Sequence, residues 1–134
     1  MHKQPSLVTA AVIINKDKIL LVKRAREPFK GRWSFVGGKG AFEDTSNPLT
    51  AVKQEVRADL NCEFHPKFFT YYHENFGKPT VTLFFYGNIE GKPKITPKYV
   101  SECRWFLIKE IKDLNLAFEH KEIFKELQKE VLLA

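Results

Sequence analysis

The chain has very little cysteine. Cys62 and Cys103 are its only two among 134 residues, and no CxxC spacing joins them. That argues against a disulfide framework and against a cysteine-built zinc site, fits a reducing, cytoplasmic setting, and casts both thiols as small buried hydrophobes. Also missing is an apolar run approaching the roughly 20 residues that a bilayer span requires. The opening MHKQPSLVTAAVIIN passes straight into a strand-like run without the cleavage pattern of a signal peptide. Repeats, low-complexity segments and linkers are absent as well, so residues 1–134 are expected to form one domain. No block of like charge accompanies the net charge of +6, because the lysines are scattered. The excess is therefore compatible with a nucleic-acid surface or with steering a small polyanion, and demands neither.

What is present is enough apolar residue, 43%, for a core, and a clear order of elements. Leu7 to Ile14 is nearly continuous and β-branched, as in a strand buried on both faces; Asn15-Lys16-Asp17 reads as a turn, and Lys18 to Arg24 as the partner strand. After Gly77-Lys78-Pro79, the run Thr80 to Tyr86 pairs in the same way with the aromatic-rich stretch Phe64 to Phe76. Ser101 to Ile108 is a last strand. Lys109 to Leu116 and Phe118 to Leu132 carry helical periodicity through Ile111, Leu114, Phe118, Ile123, Phe124, Leu127 and Val131. Such a pattern supports an α+β or α/β class.

The stretch from Trp33 to Phe64 is of another kind. Gly37, Gly38 and Gly40 let a backbone approach a ligand closely, and Glu43 and Asp44 close the loop. Asn47-Pro48 is a helix-start signal, and the helix is expected from Pro48 to about Leu60. Leu49, Val52, Val56 and Leu60 form its apolar stripe, with Glu55 and Asp59 one turn apart beside it. Two carboxylates at i and i+4 repel, so a cation between them is one purpose for the pair, and oxygen donors suit Mg²⁺ or Mn²⁺. Spacing alone favours a solvated acidic face balanced by Lys53 and Arg57.

The glycine loop upstream alters that weighing, because loop and helix together resemble the signature of the Nudix hydrolases (MutT-like domains). Gly38 stands at the opening glycine, Asp44 at the first glutamate, Glu55 at the glutamate of the Arg-Glu pair, Val56 at the aliphatic, and Asp59 at the second member of the Glu-Glu pair. The match is degenerate. Gln54 replaces the arginine, Ala58 the first glutamate of the pair and Asn61 the closing glycine, while the spacer is two residues longer. Asn61 still tolerates the left-handed conformation that ends a helix.

The resemblance implies an α/β/α sandwich, a mixed sheet between the box helix and a C-terminal helix. It also implies hydrolysis of the pyrophosphate bond in a nucleoside diphosphate linked to another moiety, with Mg²⁺ or Mn²⁺. Gly38, Glu55, Asp59 and Asp44 would hold metal, and Glu55 and Asp59 carry the catalysis, with Glu102 and Glu119 as candidates for the base. Arg26, favoured over Arg24, would meet phosphate together with Gly37 and Gly38; Tyr72 and Glu119 would touch substrate. The sequence around Lys23 to Trp33 and Phe84 to Tyr86 resembles ADP-ribose-cleaving members. The rival implication is a catalytically silent domain that binds a nucleotide or a protein partner, motivated by Ala58. An RNA-binding module ranks last, since it leaves the glycine loop and the acidic helix without a purpose. A homodimer is an expectation by analogy.

Overall fold

The structure, a computed structural model, describes residues 5–38, 45–75 and 77–132. Its centre is β1 (Ser6–Asn15), joined through a turn in which Lys16 takes a φ of +56° to β2 (Lys18–Arg24). β1 pairs in parallel with β7 (Pro79–Gly87) along Ser6 to Ile13, and β7 pairs antiparallel with the edge strand β6 (Lys67–Asn75). β2 is lined along its whole other edge by β9 (Val100–Leu107).

The hairpin of β1 and β2 stays closed only near its turn, at Ile13–Leu20 to Asn15–Lys18. Beyond that the strands part and a short segment wedges between them. β3 (Trp33–Ser34) pairs with Val22 and Lys23 of β2, and β4 (Val36–Gly38) pairs with Thr9 to Ala11 of β1. This places Gly37 and Gly38 inside the split of the sheet. At Gly37 a Cβ would lie 2.7 Å from the Thr9 carbonyl oxygen, so only glycine permits the approach.

Strand alternation then fills two cores. Ala10, Val12, Ile19, Leu21, Phe84 and Phe106 face one side, where α3 (His120–Leu127) adds Ile123, Phe124 and Leu127. Ala11, Ile13, Leu20, Val22 and Phe85 face the other, where α1 (Pro48–Leu60) adds Val52, Val56 and Leu60. A mixed sheet between the acidic helix and the C-terminal helix is the architecture expected. Two short strands, β5 (Glu63–Phe64) and β8 (Ile89–Glu90), pair separately.

α1 runs between the predicted limits for the predicted reasons. The Asn47 side chain accepts from the Leu49 and Thr50 N–H groups at 3.0 and 3.4 Å, Pro48 occupies the first turn, and Asn61 closes the helix at φ +56°. Its last carbonyls are satisfied from outside. Thr96 donates its hydroxyl to Ala58 O and its N–H to Asp59 O, and Lys94 N–H donates to Leu60 O.

The helix surface differs from the expected stripe at two places. Leu49 is 47% exposed, because it lies in the first turn, ahead of the part packed on the sheet, and Ala51 is buried instead. Asp59 does not flank the stripe but lies within the buried arc at 6% exposure. At the C-terminus, only α2 (Ile108–Ile111) and α3 are α-helical, and Gln128–Leu132 winds as a π-helix. The expected helix over Lys109 to Leu116 stops early because Lys121 Nζ donates to the carbonyls of Lys112 and Leu114, holding that segment as a turn. Phe118, with φ +55°, delays the last helix to His120. Cys62 is buried as expected, whereas Cys103 is only half-buried.

Candidate functional site

Where the sheet splits, an open cavity of about 1000 Å³ runs from the α1 face to the α3 face. On the α1 side its wall includes Gly37, Gly38, Glu55, Ala58 and Asp59, with Arg24 and Arg26 from the end of β2 and the loop after it. On the α3 side the wall includes Phe35, Glu74, Thr80, Thr82, Phe118 and His120.

The helix spacing that places Glu55 and Asp59 one turn apart also turns both into the cavity. A Cβ on Gly38 would stand 2.8 and 2.9 Å from the two Glu55 carboxylate oxygens, so that carboxylate rests against bare backbone. Asp59 is pushed up to about 7, chiefly by burial and then by the Glu55 charge, with Arg24 opposing the shift. Two crowded carboxylates, one buried, form a hard-oxygen donor set that suits Mg²⁺ or Mn²⁺. Among the described residues no three His, Cys, Asp or Glu side chains converge on one point. The set therefore matches the mode in which one or two carboxylates hold Mg²⁺ together with waters and substrate phosphates. Ala58, on the same wall, adds no oxygen to it.

Both arginines reach the cavity, by different routes. Arg24 is half-buried, donates from Nε to Pro28 O at 2.7 Å, lies over the Phe118 ring at 4.8 Å and interacts electrostatically with Asp59. Arg26, the residue favoured from sequence, is exposed and rests on the Tyr99 ring at 5.0 Å. Burial thus makes Arg24 the better-positioned cation, which its place at the very end of a strand did not reveal.

Three other expected site residues stand elsewhere. Glu102, on β9, is outside the cavity wall and forms exposed pairs with Arg104 at 3.1 Å and Lys23 at 3.9 Å. Tyr72 is half-buried and packs on the core beneath α3, not on the cavity wall. Glu119 immediately precedes α3, half-buried and off the wall, and its charge reaches Tyr72 and Glu74. Asp44, Glu43 and Gly40 lie outside the described residues.

Sequence reasoning passed over Glu74 and gave His120 no role of its own beyond opening the last helix. Glu74 is 5% exposed, its Oε1 has no hydrogen-bond partner among the described residues, and burial and then the Glu119 charge push its carboxyl up to about 7. The available signal was phase: Glu74 follows Tyr72 by two residues on β6, and Tyr72 faces the core. His120 accepts the Phe35 N–H at Nδ1, 3.1 Å away, and stacks on the Phe35 ring. Burial first, and Arg24 second, lower it to about 3, so the imidazole is neutral at pH 7. His65 and His73 are exposed and do not line the cavity.

Solved structures repeat this architecture. A MutT NUDIX hydrolase from Burkholderia pseudomallei superposes with a TM-score of 0.78 at 23% identity, over 92% of this chain and 98% of that one. The NUDIX domain of NrtR from Shewanella oneidensis, solved with ADP ribose, gives 0.84 at 20% identity, over 96% and 89%. A bifunctional NMN adenylyltransferase/ADP ribose pyrophosphatase from Francisella tularensis, complexed with AMP and Mn, gives 0.73 at 22% identity, over 96% of this chain and 42% of that one. Among curated proteins, none matches the chain by sequence. The family model of the NUDIX domain matches residues 5–127, and with the wedge and acidic helix already described this shows that the chain belongs to the NUDIX family.

Proposed function

We propose that the chain is a divalent-metal-dependent hydrolase that cleaves the pyrophosphate bond of a nucleoside diphosphate linked to another moiety, with an ADP-ribose-like compound as substrate. The observation that carries this is the Glu55–Asp59 pair facing a split sheet, with the Gly38 backbone against one carboxylate and Arg24 beside the other. The Shewanella domain solved with ADP ribose and the Francisella protein complexed with AMP and Mn support the substrate class and the metal.

When bound, Mg²⁺ or Mn²⁺ supplies neutralisation of phosphate charge and activation of water for attack at phosphorus. Glu55 and Asp59 hold it. Arg24 and Arg26, on the same side of the cavity, donate to the phosphate oxygens, a task suited to the guanidinium fork. Gly38 leaves the Glu55 carboxylate in place because it has no side chain to displace it. The cavity extends well beyond these groups, leaving room for the remainder of a nucleotide.

Turnover of a panel of ADP-ribose, NADH, diadenosine polyphosphates and nucleoside triphosphates, with Mg²⁺, Mn²⁺ or chelator, tests the reading. ADP-ribose should be hydrolysed with metal and not with chelator, and Glu55→Gln should lower the rate by at least about 100-fold, more than the loss typical of altering a ligand's outer partners. Turnover that survives Glu55→Gln would sink the assignment.

One observation favours a second reading, a domain that binds nucleotide without cleaving it: Ala58 lines the cavity where the family pattern has a carboxylate. Ala58→Glu separates the two. A weakened hydrolase gains rate from the restored oxygen donor, whereas a binding domain gains metal affinity without turnover.

A further inference from the structure

The α3 side of the cavity is built for something other than phosphate. Glu74 of β6 pairs across the sheet with Thr80, and two residues on, Tyr72 pairs with Thr82, so Glu74, Thr80 and Thr82 share one face. All three line the cavity, and Phe35, Phe118 and His120 form the opposing aromatic wall. Glu74 is a carboxyl group 95% withdrawn from solvent whose Oε1 has no hydrogen-bond partner among the described residues.

A buried acceptor without a donor is costly, so such a group calls for a partner, and the open cavity beside Glu74 lets a ligand supply it. The neighbouring titratable groups narrow the ligand's chemistry. Glu119 adds negative potential at Glu74 and His120 is neutral, so the surroundings of Glu74 suit donors such as hydroxyls or ring N–H groups, while Arg24, over the Phe118 ring, offers phosphate a cation in the same cavity.

Resting on the nucleotide reading of the cavity, we infer that Glu74 is a specificity-determining residue that accepts hydrogen bonds from the nucleoside end of the substrate while the phosphates lie at Arg24 and the carboxylates of α1. Vicinal hydroxyls of a ribose and the N–H edge of a base present the same donor chemistry. A carboxylate takes either in a paired geometry. Thr80 and Thr82 add hydroxyls beside it, and the aromatic wall covers the flat face of a ring.

Calorimetric binding in chelator, where hydrolysis does not intervene, tests this with AMP, 2′,3′-dideoxy-AMP and ribose 5-phosphate as probes. Glu74→Leu is expected to weaken AMP about tenfold to a hundredfold, the range for a hydrogen bond to a charged group. If ribose 5-phosphate weakens equally and the dideoxy compound does not, the donors are the sugar hydroxyls. If AMP weakens and ribose 5-phosphate does not, they belong to the base. Equal binding of all three probes to native protein and to a folded Glu74→Leu variant overturns the inference, as does failure of any probe to bind the native protein. Should Glu74→Leu not fold, Glu74→Gln serves: it keeps the shape, replaces one acceptor by a donor, and should shift the preference among the probes. An unchanged preference likewise overturns it. Metal-dependent hydrolysis that persists with unaltered substrate selectivity in these variants would remove the Glu74 role alone, whereas an inactive native protein would remove the reading beneath it.

Discussion

The two sides of the cavity each hold a carboxyl group raised to about 7, Asp59 on α1 and Glu74 on β6, and burial is the first cause at both. The second cause differs in its setting. Asp59 is raised further by Glu55, one turn away, and lowered by Arg24, whereas Glu74 is raised further by Glu119. A carboxylate crowded by another and faced by a guanidinium stands where cations and phosphates meet. One crowded by a glutamate, beside hydroxyls and aromatic rings, stands where only neutral donors are welcome. Similar pKa values therefore mark unlike chemistry, and it is the neighbours that tell the two sites apart.

The strongest way to break this comparison is to disturb one side alone. Gly38→Ala puts a methyl group within contact of the Glu55 oxygens and should cost at least about tenfold in kcat/KM through displacement of that carboxylate, while thermal unfolding should change by no more than about 1 kcal/mol, because the atoms in the way are the far end of a flexible side chain. Probe binding to the Glu74 side should be preserved in that variant. Equal loss at both sides would mean that the cavity behaves as one unit.

A smaller effect sharpens the comparison through pH. The folded-state pKa of Glu74 is raised above its unfolded value, so its contribution to stability is fully present below about 4.5 and is lost as pH rises through about 7. Glu74→Gln lacks that loss. The Tm of the variant relative to the native protein should rise by several degrees between pH 4.5 and pH 8, and a difference independent of pH would refute the placement of an ionisable, partnerless carboxyl there. His120 acts with the opposite sign, its depressed pKa giving stability that is lost as pH falls below 6.5 toward 3. That range overlaps the window in which Glu74→Gln is read, but His120 is present in both proteins, so the difference between their Tm values reports Glu74.

The smallest effect is expected outside both lobes. Glu102→Gln removes exposed pairs with Lys23 and Arg104 and should change stability by no more than about 1 kcal/mol and leave turnover as it was. A large fall in kcat would extend the active site onto β9.

How far the site was legible depends on how local its causes are. The acidic helix could be drawn end to end from Asn47, Pro48 and Asn61, because capping and helical spacing are settled within a few residues. The same spacing brings Glu55 and Asp59 to one wall. It did not place Leu49, whose exposure depends on where the sheet ends beneath the helix, or the segment after α2, where Lys121 holds the distant carbonyls of Lys112 and Leu114. Arg24 was ranked below Arg26 and Glu74 was passed over for a related reason: each looks ordinary beside its sequence neighbours and becomes unusual only through burial by elements far along the chain.

The sequence by itself determined the alternation that gives the sheet two buried faces, the glycines that let β4 enter the split, and the pair of carboxylates on one helical face, since periods of 2 and 3.6 residues are properties of the backbone. Tertiary structure alone decided that β1 and β2 part to admit the wedge, that Arg24 interacts with Asp59, and that Glu74 and His120, 46 residues apart in sequence, line one cavity. These depend on which surfaces close against one another. Desolvation at such a closure changes the charge of a side chain, and no local pattern records it.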